Sequence, residues 1–155
     1  MSVSQIVALA DDLALALAAS PIRIEAPVPG KSYVGIEVPN RDMTLVSLGR
    51  LLQDKDFRKI KSPLVIPFGR DVSGQVVATD LRKLPHILVA GATGSGKSVA
   101  LNAMICSFLY SNLPNMVQLI LVDPKRVELP SYNDVPHLLS PVVVDAENAE
   151  GALSW

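Results

Sequence analysis

The segment Gly91-Ala92-Thr93-Gly94-Ser95-Gly96-Lys97-Ser98 limits what this chain can fold into more than any other, because it satisfies the pattern G-x-x-x-x-G-K-S/T at every position. Each position has a mechanical task. Gly91, Gly94 and Gly96 permit tight and left-handed turns, so that successive backbone N–H groups converge on phosphate oxygens. Lys97 is placed to reach β- and γ-phosphates, and the Ser98 hydroxyl to complete the shell of an accompanying Mg²⁺ ion. A helix beginning here points its positive end at the same anion. The spacing therefore predicts nucleotide binding by Gly91, Ala92, Thr93, Gly94, Ser95, Gly96, Lys97, Ser98 and Val99, with Lys97 as the catalytic group and Ser98 as the metal ligand.

The flanks agree with that motif. His86-Ile87-Leu88-Val89-Ala90 is a short apolar run that reads as a buried parallel strand. Val99, Leu101, Met104, Ile105, Phe108 and Leu109 then recur at helical spacing up to the break at Asn112-Leu113-Pro114. Strand, glycine loop and helix is the order that phosphate binding requires, and a chance glycine-rich turn has no reason to carry both flanks.

With 155 residues, 49% of them apolar, the chain can bury a core fit for one domain or one and a fraction. A formal charge of −1 gives no electrostatic reason to expect nucleic acid on this piece. The one local basic cluster, Lys55, Arg58, Lys59 and Lys61, alternates with Asp54 and Asp56 and reads as a solvated face. A single cysteine, Cys106, excludes an internal disulfide, suits a reducing compartment and reads as a small buried hydrophobe. Leu13 to Ser20 resembles the apolar part of a secretory signal, yet no Lys or Arg precedes it and Asp11-Asp12 interrupt it. No stretch is long and apolar enough to span a bilayer, so a soluble piece is expected.

Along the chain, Ser2 and Gln5 form a capping-box pattern for a helix whose apolar face is Ile6, Leu9, Ala10, Leu13 and Leu17, stopping before Ser20-Pro21. Two hairpins are predicted, one from Ile22–Ala26 with Tyr33–Val38 and one from Leu64–Phe68 with Gln75–Thr79. Between them Thr44–Gln53 has helical spacing. From Pro85 onward the pattern becomes strand-helix-strand: Met116–Val122 is a strand ending at Asp123-Pro124-Lys125, and Pro141–Val144 is another. Asp145 is the N-cap of a last helix running into Trp155 without a stop signal, which predicts a fragment of a longer chain. The expected fold class is α/β, an incomplete parallel sheet of the P-loop NTPase type preceded by a small α+β domain, with domains 1–84 and 85–155.

Hydrolysis needs more than the loop: a second carboxylate at a strand end, a group orienting water, and usually an arginine. Asp123 ends the one apolar strand that closes on an acid, but Pro124 follows where many ATPases carry a glutamate. Its position at a strand end places it near the ligand whether or not it holds metal. His86 and His137 lack partners at metal-ligand spacing and read as hydrogen-bonded structural residues.

Several word-like segments go beyond the loop. Lys83-Leu84-Pro85-His86-Ile87-Leu88-Val89-Ala90-Gly91, Val122-Asp123-Pro124-Lys125 with Glu128-Leu129, and Val135-Pro136-His137-Leu138-Leu139 closely resemble the FtsK/SpoIIIE family of bacterial DNA translocases. So do Asp11–Leu17, Ile24–Lys31 and Gly35–Asn40, so the resemblance spans nearly the whole chain. It implies a small α domain followed by a RecA-like β domain, ATP and Mg²⁺ as cofactors, and hexameric rings that pump double-stranded DNA. It further implies chromosome partition at cell division or sporulation, and a cytoplasmic motor hung from the bacterial inner membrane by an N-terminal domain. On this mapping residues 1–84 are most of the α domain, lacking its start, and 85–155 open the β domain. The Walker B acids, pore loops and orientation-reading γ domain are expected beyond Trp155. A related motor that pumps proteins shares the same loop, and the isolated piece is expected to bind nucleotide weakly and turn over negligibly.

Overall fold

Reciprocal hydrogen bonds between Ser2 and Gln5 open the first helix. Ser2 Oγ accepts from the Gln5 backbone N–H at 3.3 Å, and Gln5 Oε1 accepts from the Ser2 N–H at 2.8 Å, the capping box that the sequence predicts. The computed structural model describes residues 2–19, 21–40, 42, 44–84 and 86–154. The expected helix stop at Ser20, the division at Pro85 and the helix end at Trp155 lie outside the described residues. The chain divides into two units, Met1–Leu45 and Val46–Trp155.

In the first unit the predicted helix is broken. α1 (Val3–Ala8) and α2 (Ala10–Ala16) part at Leu9, whose N–H bonds the Ile6 carbonyl at 3.1 Å in a tightened last turn. Of the expected apolar face, Ile6, Ala10 and Leu13 are half-buried while Leu9 and Leu17 are exposed. A unit this small has too little interior to cover a full helical stripe. The first hairpin forms as predicted but shorter, with β1 (Arg23–Glu25) antiparallel to β2 (Gly35–Glu37) and Ile24 opposite Ile36.

The second unit begins with α3 (Leu48–Gln53), which starts later than the predicted Thr44. α4 (Lys55–Lys59) is an element that the charge pattern concealed. Asp54 caps it by accepting from the Asp56 N–H at 2.9 Å, and Phe57 packs with Leu52 and Val65. Its charges are solvated, as expected, with Lys59 on Asp56 at 2.6 Å and Asp54 on Arg70 at 2.7 Å. The second hairpin pairs β3 (Val65–Arg70) with β4 (Val76–Asp80), also antiparallel. Phe68 is the extra residue of a bulge, and Gly69 at φ 134° supplies a backbone angle that side chains disfavour.

α5 (Lys97–Ser111) is apolar on two sides, and both are covered. Met104 and Phe108, one turn apart, pack on Ile66 of β3 with Val117. Ile105 turns the other way, toward Leu121, Leu129 and Val142. A helix buried on both sides is the centre of its unit rather than a surface element. Ser107 Oγ donates to the Val65 carbonyl at 3.0 Å from a fully buried position. At its end, Asn112 Nδ2 donates to the Phe108 and Pro63 carbonyls, both at 2.8 Å. His137 is buried with Nε2 3.0 Å from the Asn112 carbonyl, so it is the structural histidine expected.

The predicted parallel strands are reduced to bridges. Leu119 pairs with Leu138 and Val122 with Val143, both in the parallel sense. His86–Ala90 forms no ladder with any described residue, and Leu88 is 90% exposed. This corrects the expectation of a buried strand before the glycine loop: a parallel strand exists only where a neighbour accepts its hydrogen bonds. Among the described residues the extended sheets are the two antiparallel hairpins. α6 (Ala146–Leu153) starts after Asp145 as predicted, although the Asp145 side chain makes no capping bond and instead meets Arg126 at 2.5 Å. No described helix is long and apolar enough to cross a membrane.

Ile66 is wholly buried between β3 and α5. Ile66→Ala is expected to cost about 2–5 kcal/mol in urea unfolding, whereas Phe68→Ala at the exposed bulge is expected to change stability by about 0.5 kcal/mol or less.

Candidate functional site

The glycine loop owes its shape to local backbone angles. Gly94 and Gly96 sit at φ 81° and 91°, and Gly96 is the residue from which α5 starts. Gly91 is restricted differently: a Cβ there would clash with Ser95 Oγ. The turn closes by a bond from the Ser95 N–H to the Ala92 carbonyl at 3.1 Å. The first helical bond runs from the Ala100 N–H to the Gly96 carbonyl at 2.8 Å, and no side chain caps the start. The N–H groups of that first turn are therefore unpaired by the helix, at its electropositive end.

All nine residues predicted for the site lie in this one loop and first turn. Residues 91–95 and Val99 are open to solvent, and Gly96, Lys97 and Ser98 are half-buried. Lys97 folds back over the loop, its Nζ donating to the Gly91 carbonyl at 2.6 Å and the Ala92 carbonyl at 2.9 Å. An ammonium held, among the described residues, by two carbonyls alone, beside amides that the helix leaves unpaired, is chemistry suited to a polyanion. Ser98 Oγ donates to Glu128 Oε1. Glu128 has no role in the sequence-based expectation.

Asp123 explains how Glu128 arrives there. Its buried carboxylate accepts from the backbone N–H groups of Val127 at 3.0 Å, Glu128 at 2.9 Å and Leu129 at 3.0 Å through Oδ2, and Lys125 at 3.2 Å through Oδ1. These bonds, those from Leu129 and Glu128 foremost, hold the Asp123 carboxyl below the usual carboxylate range. Its backbone N–H is tied to the Val143 carbonyl at 2.8 Å. Asp123 thus anchors the loop of residues 124–129, and its acceptor positions are occupied by amides rather than left open to an ion. Arg126, at φ 57°, takes the left-handed residue of that loop.

The oxygen donors near the loop, a hydroxyl and a carboxylate, are hard ligands of the kind Mg²⁺ accepts. No group of three or more His, Cys, Asp or Glu side chains that could hold an ion occurs among the described residues. Two sequence expectations are corrected. His86 is exposed and makes no side-chain hydrogen bond among the described residues. Cys106 is only half-buried, its Sγ 3.6 Å from Tyr132 Oη, which donates to Asn102 Oδ1 at 2.7 Å. Burial, and then Cys106, push the Tyr132 hydroxyl up to about 12.

A carboxylate whose pKa is lowered by folding stabilises the fold above its unfolded value and loses that contribution as pH falls through the folded value. The thermal midpoint of the protein is expected to drop between pH 6 and pH 3. Asp123→Asn is expected to lower the midpoint at pH 6 and to show a smaller further drop at pH 3.

Comparison with known proteins gives two family matches that together cover most of the chain. The model described as the FtsK/SpoIIIE family matches residues 47–155, and that described as the FtsK alpha domain matches residues 1–40. A DNA translocase FtsK from Caldanaerobacter subterraneus is 56% identical over 155 residues, covering 100% of this chain and 22% of that protein. A DNA translocase FtsK from Clostridium acetobutylicum is 55% identical over the same length, with 20% of its own chain covered. A DNA translocase SftA from Bacillus subtilis is 52% identical over 155 residues, 16% of its length. The chain thus spans about a fifth of the length of the curated relatives it matches.

Proposed function

The chain belongs to the FtsK/SpoIIIE family, and from that premise we propose that it is the ATP-binding part of an ATP-driven translocase of double-stranded DNA, acting in chromosome segregation at cell division or sporulation. The observation that carries this reading is the glycine loop. It has a complete phosphate-binding sequence and unpaired first-turn amides, in a chain matched from end to end by proteins named DNA translocases.

In this reading residues 91–99 hold the nucleotide. Lys97 gives up its two carbonyl contacts for β- and γ-phosphate oxygens, and serves catalysis by neutralising charge as it develops there. Ser98 is the protein's ligand to Mg²⁺, which supplies Lewis-acid stabilisation of the phosphates when bound. Residues 1–84 serve as the α domain and 85–155 as the opening of a RecA-like β domain. The bridged segment around 119–123 and the segment around 142–144 are then strands of one parallel sheet. The parallel sense of the Leu119–Leu138 and Val122–Val143 bridges supports that assignment. The whole protein works as a homo-hexamer around DNA, with its motor on the cytoplasmic side of the inner membrane and an N-terminal domain as its anchor.

Steady-state ATP hydrolysis by the full-length protein, with and without duplex DNA, tests the proposal. Strong stimulation by DNA, abolished together with basal turnover in Lys97→Ala, is expected. Turnover indifferent to DNA would overturn the DNA substrate and point to a motor that pumps proteins.

A further inference from the structure

We infer that Glu128 is a positioning residue for Ser98, holding the serine hydroxyl in the orientation that offers its lone pairs to the phosphate-bound cation. The inference rests on the nucleotide site proposed above and deepens it.

A serine hydroxyl carries one proton and two acceptor positions. It serves as a neutral ligand to a cation only when its proton is directed elsewhere. Among the described residues the proton has one destination, Glu128 Oε1. The usual reason for an exposed glutamate to sit against a neighbour is an ion pair, and none of the ion pairs among the described residues involves Glu128. The adjacent cation, Lys97, is bonded to the Gly91 and Ala92 carbonyls instead.

The placement of Glu128 is held from both sides. Its own N–H is bonded to the buried Asp123 carboxylate at 2.9 Å, and the next residue, Leu129, is buried against Ile105 of α5. Ile105 lies seven residues after Ser98, two turns along the same face of the helix, and Leu101 on that face packs into the same cluster. The hydrophobic contact and the hydrogen bond are therefore in register: packing Leu129 on α5 delivers the preceding carboxylate to the hydroxyl two turns earlier. A carboxylate bonded to a metal-binding hydroxyl acts on the ion through that ligand, the kind of outer contact whose loss weakens metal affinity without removing the ligand.

The experiment uses the full-length protein and a fluorescent ATP analogue, titrated in EDTA and then with increasing Mg²⁺. Glu128→Ala is expected to leave affinity in EDTA unchanged and to raise the Mg²⁺ concentration of half-effect about tenfold. Glu128→Gln, which keeps a carbonyl oxygen able to accept from Ser98, is expected to recover part of that loss. In a Ser98→Ala background, Glu128→Ala is expected to add nothing, since both changes remove one interaction. An unchanged Mg²⁺ titration in Glu128→Ala, or full additivity with Ser98→Ala, would overturn the inference. Lys97→Ala separates the two levels: if it fails to weaken analogue binding, the nucleotide site itself is wrong. If it weakens binding while Glu128→Ala does nothing, only the role of Glu128 falls.

Discussion

Four backbone N–H groups converge on one buried carboxylate, and the geometry of the glycine loop's surroundings follows from that. Asp123 is the point where the chain leaves its bridged segment, and the bonds from residues 125 to 129 wind the next turn tightly around the charge. A neutral side chain could not compensate so many amides, because each charge-assisted bond is stronger than its neutral counterpart. The winding brings Leu129 inward and leaves Glu128 beside Ser98. One ionised group thus couples the packed interior to the exposed site.

α5 is the other half of that coupling. It reaches β3 through Met104, Phe108 and the Ser107 hydrogen bond, and the Asp123 loop through Ile105. Its first turn is the glycine loop's exit and its last is pinned by Asn112 and His137. A rigid helix fastened along its length holds Lys97 and Ser98 to a fixed position relative to everything packed around it, which is what a phosphate site requires.

What could be read from the residues was what is local. The glycine loop, the Ser2–Gln5 capping box, the two hairpins and the long helix each depend on neighbours a few positions away, and each formed. The run His86–Ala90 was misjudged because strand character depends on a partner elsewhere in the chain, and apolar composition alone does not supply one. α4 escaped notice since its five residues present a single apolar side chain, Phe57, among charges. Cys106 was read as a small buried hydrophobe because nothing at helical spacing announces Tyr132, which lies 26 residues on. Glu128 was invisible as a site residue for the same reason: its meaning comes from 30 residues back, through a loop folded around Asp123. The acid at a strand end was the one legible signal, and it marked the anchor rather than the residue the anchor positions.

The lysine lying across its own loop has a consequence for how a ligand enters. Gly91 and Ala92 present their carbonyls to the Lys97 ammonium at 2.6 and 2.9 Å, so in the proposed nucleotide-binding role an incoming phosphate meets an ammonium that already has two acceptors. Entry is then an exchange of acceptors around a fixed ammonium and not the capture of an anion by a free one. The enthalpy gained on binding is a difference between two sets of charge-assisted bonds, while the loop, ordered beforehand by that bridge, surrenders little freedom. In that proposed role the exchange favours selectivity, because a ligand with fewer oxygens than a triphosphate has less to offer in place of two carbonyls.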